Sequence, residues 1–362
     1  MCGRYALGIN INELPQQFNE TVLNRSNTNV QYSIKQLSDT NYEAVDESND
    51  EATSNHANRI EIMILNLSNQ TFQSSYNIPP TRTALIIYQA KNSDATFKNR
   101  YVIESSTFGL VPSWAKPKDP TPIERKGKPG PRYSRELQKY QGKHFNCRKE
   151  SLANKTPVWN SAKRTRCVVP IQGYFEWIKS GKNKTPYFVH SSKAPLIYLA
   201  ALYSHNPNYS NSDSHAKYLS SFTIITGPAT KEDSKDLSWL HPRKPLMLMP
   251  STNEWHEWLD PEKDWSDSLL DTSLNTIDNK AYMNIEYHTV SSDVGKPFAE
   301  GKYLVEKYTK PQKSISQFFK PATKRQLQDN DENKQEKKPK TEENIDVAIN
   351  ANEGNVEIKR EP

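Results

Sequence analysis

The second residue of the chain is a cysteine, in the run Met1-Cys2-Gly3-Arg4-Tyr5. An initiator methionine is normally removed when the next side chain is small, and cysteine is small enough. Cys2 would then carry a free α-amine and a thiol on adjacent carbons. Such a 1,2-aminothiol does what no internal cysteine does. Its amine condenses with an aldehyde, and its sulfur closes a five-membered thiazolidine. With a reference pKa of about 7.7–8.0, an appreciable fraction of an α-amine is neutral and nucleophilic at physiological pH. A thiol is activated by neighbouring positive charge, and Arg4 is the nearby candidate.

Five further segments set polar groups beside apolar sequence. In Asn146-Cys147-Arg148 an amide and a guanidinium stand two apart. On an extended strand they share one face and would grip a phosphate or a sugar. Gly173-Tyr174-Phe175-Glu176-Trp177 sets a carboxylate among aromatics in a core-like strand. A carboxylate taken out of water suits acid–base work near neutrality. His241 and Arg243 stand two apart before an apolar strand, and histidine is the commonest general acid–base group. Tyr76-Asn77-Ile78-Pro79-Pro80-Thr81 is a proline-rigid connection, and Gly109-Leu110-Val111-Pro112-Ser113-Trp114 ends in a ring able to stack on a base. Each has a plainer reading: a surface loop, an edge strand, a structural histidine, a turn.

The elements that must position these residues are mostly strands. Period-two or continuous apolar runs predict strands at 4–7, 84–88, 101–104, 107–111, 166–171, 174–178, 187–189, 196–202 and 221–226, with a hairpin turn at Ser180-Gly181-Lys182-Asn183. A short helix is predicted over 253–259, where Trp255, Trp258 and Leu259 recur at helical spacing. Many strands with few short helices predict an α+β domain on a mainly antiparallel sheet. The polar stretch of about 24–75 reads as a partly disordered surface insertion. The Lys-, Arg-, Pro- and Gly-rich stretch of about 116–143 reads as a mobile basic loop.

Of 362 residues, 34% are hydrophobic and 25% charged, so one globular body plus considerable disordered sequence is expected. The net charge of +6 is compatible with nucleic acid without being diagnostic. Cys2, Cys147 and Cys167 argue against a disulfide framework and, lacking any CxxC pair, against a cysteine-rich zinc site. No apolar run is long enough to span a bilayer, and no metal or cofactor is expected.

In their order, the start Met-Cys-Gly-Arg and the motifs Tyr-Asn-Ile-Pro-Pro-Thr, Gly-Leu-Val-Pro-Ser-Trp, Asn-Cys-Arg-Lys-Glu-Ser, Cys-Val-Val-Pro-Ile-Gln-Gly-Tyr-Phe-Glu-Trp and His-Pro-Arg-Lys-Pro-Leu resemble the SRAP family, the SOS-response-associated-peptidase-like proteins. The resemblance covers about residues 2–305. It implies a single domain with a barrel-like, mainly antiparallel sheet and flanking short helices, followed by a disordered tail over 306–362. It implies that Cys2 crosslinks to the aldehyde of an abasic site in single-stranded DNA. By motif position, Asn146 and Arg148 would hold the abasic sugar and its phosphates. Glu176 would orient or deprotonate the α-amine, and His241 would serve ring opening and imine formation. Arg4, Asn77, Trp114 and Arg243 would contact DNA. Two departures stand out: Cys147 where the family usually has alanine, and a single Trp114 where some members carry two tryptophans. A non-covalent reader of modified bases or single strands, and an N-terminal-nucleophile peptidase, remain the alternatives.

The tail adds short motifs. Gln312, Ile315, Phe318 and Phe319 fit the spacing of a peptide that docks on the sliding clamp PCNA through a single helical turn. Lys324-Arg325 with Lys337-Lys338-Pro339-Lys340 reads as a two-part nuclear import signal, and Ile358-Lys359-Arg360-Glu361 as a SUMO acceptor pattern. A nuclear monomer is expected.

Overall fold

The computed structural model describes residues 3–24, 31–47, 59–68, 70–91, 97, 99–117, 134–154, 156–209 and 217–309. Cys2, most of the basic stretch and all three tail motifs lie outside them. The chain divides into two units, Met1–Thr309 and Lys310–Pro362, and everything below concerns the first.

Sixteen strands appear among the described residues: β1 (Tyr5–Leu7), β2 (Tyr32–Gln36), β3 (Asn41–Asp46), β4 (Arg59–Leu65), β5 (Ser75–Ile78), β6 (Thr83–Ala90), β7 (Asn99–Phe108), β8 (Asn146–Arg148), β9 (Arg166–Ile171), β10 (Gly173–Ser180), β11 (Asn183–Ser191), β12 (Ile197–Asn206), β13 (Leu219–Pro228), β14 (Arg243–Pro245), β15 (Met247–Leu248) and β16 (Ile285–Thr289). The helices are short: α1 (Leu14–Phe18), α2 (Ser134–Gln141), α3 (Lys149–Ala153), α4 (Pro157–Asn160), α5 (Asn253–Leu259), α6 (Asp267–Ser273) and α7 (Lys280–Met283). The class is α+β, as expected.

The larger sheet runs β14-β13-β12-β9-β6-β7-β4-β3-β2. An added parallel pairing of β13 with β7 closes β7, β6, β9, β12 and β13 into a ring. Closure leaves these strands no free edge; β9 and β12 are also buried along nearly their whole length, and they are nearly continuous apolar runs. The smaller sheet runs β16-β11-β10-β1-β5. One of its faces carries Tyr5, Tyr174 and Val189 into the main core; the other carries Ala6, Phe175 and Phe188 against Val290, Val294 and Leu304.

Several local expectations hold. The β10–β11 hairpin turns at Gly181, whose φ of +60° suits the first central position of a two-residue loop. Helix α5 spans the expected residues, and the buried Arg166 guanidinium donates to the carbonyls of Trp258, Asp260 and Lys263 at its end. Those carbonyls have no partner inside the helix.

Three expectations are corrected. The stretch 24–75 is not a plain surface insertion. It supplies β2, β3 and β4, which extend the large sheet, with Ile60, Ile62 and Ile64 buried. Its scattered polar residues mask an alternation that is apolar on one face. The runs 101–104 and 107–111 are not two strands, because Glu104, Ser105 and Ser106 continue β7 with their side chains buried. The end of the basic stretch is helical, as α2. That helix abuts Gly109, where φ is +127° and a Cβ would come within 2.4 Å of the Gln141 backbone, so only glycine fits.

Candidate functional site

Strand β1 sits between β10 and β5. Tyr5 pairs with Tyr174 and Ala6 with Gly173, and the Phe175 N–H donates to the Arg4 carbonyl at 2.8 Å. Counted one step further, this antiparallel ladder sets Gly3 across from Glu176. Glu176 is buried, and its Oε1 accepts the Trp177 N–H at 3.4 Å. It shares a strand face with Tyr174, directed at the main core. Gly173 permits the close approach of these strands, since a Cβ there would lie 2.5 Å from the Val189 carbonyl oxygen.

A second group of residues gathers at the far end of β13. Strand β8 pairs with it in parallel, setting Asn146 opposite Ile224 and Arg148 opposite Thr226. On its other side β14 pairs Arg243 with Pro228. Asn146, Arg148 and Arg243 therefore flank one strand terminus. Arg148 is exposed, whereas Cys147 between them is fully buried. Burial pushes the Cys147 thiol well up, and Cys167 likewise, so neither is a thiolate near neutrality. Arg243 is already engaged: its two terminal nitrogens meet the Glu150 carboxylate at 3.1 and 3.0 Å, and one also donates to the Thr226 carbonyl. The hydrogen bond from Arg243 holds Glu150 below the usual carboxylate range. His241 Nδ1 lies 3.0 Å from the Arg243 backbone nitrogen and 2.9 Å from its carbonyl oxygen, so the ring is held against the Arg243 backbone.

The loop carrying His241 is anchored by a buried ion pair between Lys244 and Asp233. Burial pushes the Asp233 carboxyl up. Hydrogen bonds from Lys244, Thr276 and the Thr230 N–H outweigh that and hold it below its usual range. The same loop reaches the small sheet through Trp239, whose ring meets Tyr187, the β11 residue paired with Glu176. Glu176 and His241 are thus tied to one region.

The other sequence candidates divide. Arg4 is half-buried, and its guanidinium donates to Asn77 Oδ1 at 3.1 Å and to the Val294 carbonyl. Asn77 is buried and spends its amide on the Lys296 and Ala299 carbonyls. The structure places both as braces between the start of the chain and residues 294–299. Trp114 is exposed, at 52% of its free surface, on a turn after β7. That turn is held by buried Asn206, whose amide donates to the Pro112 and Ala115 carbonyls. Leu110 N–H donates to the His144 carbonyl, which sets the turn beside the segment entering β8. Among the described residues, no three His, Cys, Asp or Glu side chains cluster as a metal site requires.

The sequence profile described as SOS response associated peptidase (SRAP) matches residues 1–297. The chain belongs to the SRAP family. Among similar proteins, the abasic site processing protein YMR114C of Saccharomyces cerevisiae is 28% identical over 308 residues, covering 84% of this chain and 68% of its own. The abasic site processing protein HMCES of Xenopus tropicalis is 28% identical over 249 residues, covering 62% of this chain and 63% of its own. The chain thus spans about two thirds of the length of these SRAP relatives. A crystal structure of a protein from Bacteroides thetaiotaomicron overlays with a TM-score of 0.48 at 19% identity, covering 65% of this chain and 86% of its own.

Within this SRAP chain, sequence reasoning missed Glu150, Asn206 and the Asp233–Lys244 pair. Glu150 stands inside the Asn-Cys-Arg-Lys-Glu-Ser motif, and its charge two residues after Arg148 was a usable signal. Asn206 and Asp233 carried none that pointed to Pro112, Ala115 or Lys244, because those partners lie well outside their local sequence.

Proposed function

We propose that this protein forms a covalent thiazolidine crosslink between Cys2 and the aldehyde of an abasic site in single-stranded DNA, shielding the lesion during replication. The reading rests most on one observation: the bond from Phe175 N–H to the Arg4 carbonyl runs the start of the chain alongside Glu176. The names of the SRAP relatives support the substrate class. In the proposed sequence His241 moves a proton at the sugar ring oxygen, opening the hemiacetal to the aldehyde. Glu176 takes a proton from the Cys2 ammonium. The neutral amine adds to the aldehyde carbon and water leaves, giving an imine. The Cys2 sulfur then bonds to the imine carbon, and the thiol proton ends on nitrogen. Arg148 and Asn146 supply donors to the flanking phosphate and sugar. A positioned acid–base pair of this kind typically contributes about 10²–10⁴-fold to rate.

The test is adduct formation on a denaturing gel with an abasic single strand. Wild type gives a band that survives boiling in detergent, and Cys2→Ala gives none. Undiminished adduct from Cys2→Ala overturns the assignment, as does adduct from protein whose intact mass shows Met1 retained. The same proposal places the protein in the nucleus and recruits it to PCNA through Gln312, Ile315, Phe318 and Phe319.

A further inference from the structure

Next to Glu176 lies an aromatic surface that the proposed chemistry does not use. Tyr187 on β11 pairs with Glu176 on β10, and Tyr287 on edge strand β16 pairs with Val189 on β11. Paired residues and residues two apart share a sheet face, so Glu176, Tyr187 and Tyr287 lie along one face. Exposure rises along that line. Glu176 is buried, Tyr187 half-buried, and Tyr287 is 40% exposed. Trp239, 42% exposed, closes the group from the loop that carries His241. Its ring centroid is 4.7 Å from Tyr287 and 5.4 Å from Tyr187. The Lys235 amine lies over one face of the Tyr287 ring, 5.7 Å from its centroid. Apolar residues of this size normally seek burial, and an exposed cluster marks a binding surface.

We infer that Tyr187, Trp239 and Tyr287 form a stacking platform for an unpaired nucleobase neighbouring the lesion on the bound strand, with Lys235 facing its phosphate. The inference deepens the proposed function and rests on it for the identity of the strand. The chemistry fits that occupant. Every base offers a π-face, so aromatic rings bind single strands with little regard to sequence, and a basic residue alongside meets the backbone. A duplex hides its base faces, so the platform discriminates against paired DNA. The continuous line from Glu176 to the sheet edge leads a strand outward from the carboxylate. The loop that holds Trp239 is the one fixed by Lys244 and Asp233, so the platform and His241 share one support.

The test uses the full-length protein and fluorescence anisotropy with two labelled probes at one salt concentration: an intact oligothymidylate and a same-length strand of base-free spacers. Stacking contributes about 1–3 kcal/mol per base by alanine substitution. Trp239→Ala should therefore weaken oligothymidylate binding about 5- to 150-fold, and Trp239→Phe should stay near wild type. The base-free strand should bind wild type and Trp239→Ala alike. Tyr287→Ala, on the edge strand, is the second variant should Trp239→Ala melt early. Equal oligothymidylate affinity for wild type and both alanine variants overturns the inference. So does an equal loss on duplex DNA, which would indicate a general polyanion surface. Because neither probe carries an aldehyde, failure of the crosslinking reading leaves this measurement intact.

Discussion

Arg243 and Glu150 form a bidentate pair close to Arg148, the residue proposed to hold a DNA phosphate. Glu150 is half-exposed, so the pair is worth little to stability, but its carboxylate repels an approaching strand. Glu150→Gln should tighten binding to single-stranded DNA about two- to fivefold at low salt, with the gain shrinking as salt screens it. Anisotropy titrations at two salt concentrations read this out, and weaker binding would refute it. The sign with pH agrees: Glu150 sits below its usual range, so the pair holds through neutrality and loosens only as pH falls through that lowered value. At this scale the sequence reports residue types but not their partners. Glu176 and His241 stand out as candidates because a carboxylate among aromatics and a histidine before an apolar run are unusual locally. Arg4 and Asn77 read as DNA contacts, and the structure adds partners that the sequence does not show: Arg4 Nη1 donates to the Val294 carbonyl and the Asn77 amide to those of Lys296 and Ala299. No local pattern announces a partner more than two hundred residues away.

Elements show the same division. Hairpin β10–β11 and helix α5 were readable because a turn glycine and a helical apolar spacing are signals within ten residues. Strands β2 to β4 were not, because their register depends on β7, the β4 partner that completes the sheet. The loop between β13 and β14 depends on the Asp233–Lys244 pair, both side chains almost fully buried. Removing one partner of a buried pair typically costs about 3–5 kcal/mol, since the other charge stays buried. Asp233→Asn should lose about that much at pH 7 in a denaturant titration. The sign follows from its lowered carboxyl. The unfolded group titrates near pH 3.9, so its contribution is complete above that and disappears as pH falls through the folded value. The gap between wild type and Asp233→Asn should therefore narrow toward pH 3. A gap that is constant with pH would mean that Asp233 stabilises the loop without its charge. Slower crosslinking by the folded variant at pH 7 would be expected, since the same loop carries His241.

Across the whole molecule, the described body and the tail divide the work proposed here. Tethering raises local concentration without altering chemistry, so a clamp-binding tail would bring the reactive body to stalled forks. A peptide spanning Lys310 to Lys324 should bind PCNA, and Phe318→Ala with Phe319→Ala should abolish binding by removing both aromatic plugs. Calorimetry showing equal affinity for both peptides would defeat that part of the proposal. Six motifs in a fixed order make the family legible in the amino-acid sequence, because each is a short run of unusual neighbours. The packing of Val290, Val294 and Leu304 beneath the small sheet is visible only in three dimensions, since their partners Ala6, Phe175 and Phe188 are distant in the chain. The place of β1 between β10 and β5 in that sheet also sets a timetable. Its partner Tyr174 is 169 positions later than Tyr5, and His241 later still. At about 5–20 residues per second of synthesis, β1 waits roughly 10–35 s on the ribosome before β10 is made. On the proposed function, the nascent chain passes through a period in which its aminothiol would have neither carboxylate nor imidazole to assist it, and the full rate would wait until translation has carried the chain past residue 241.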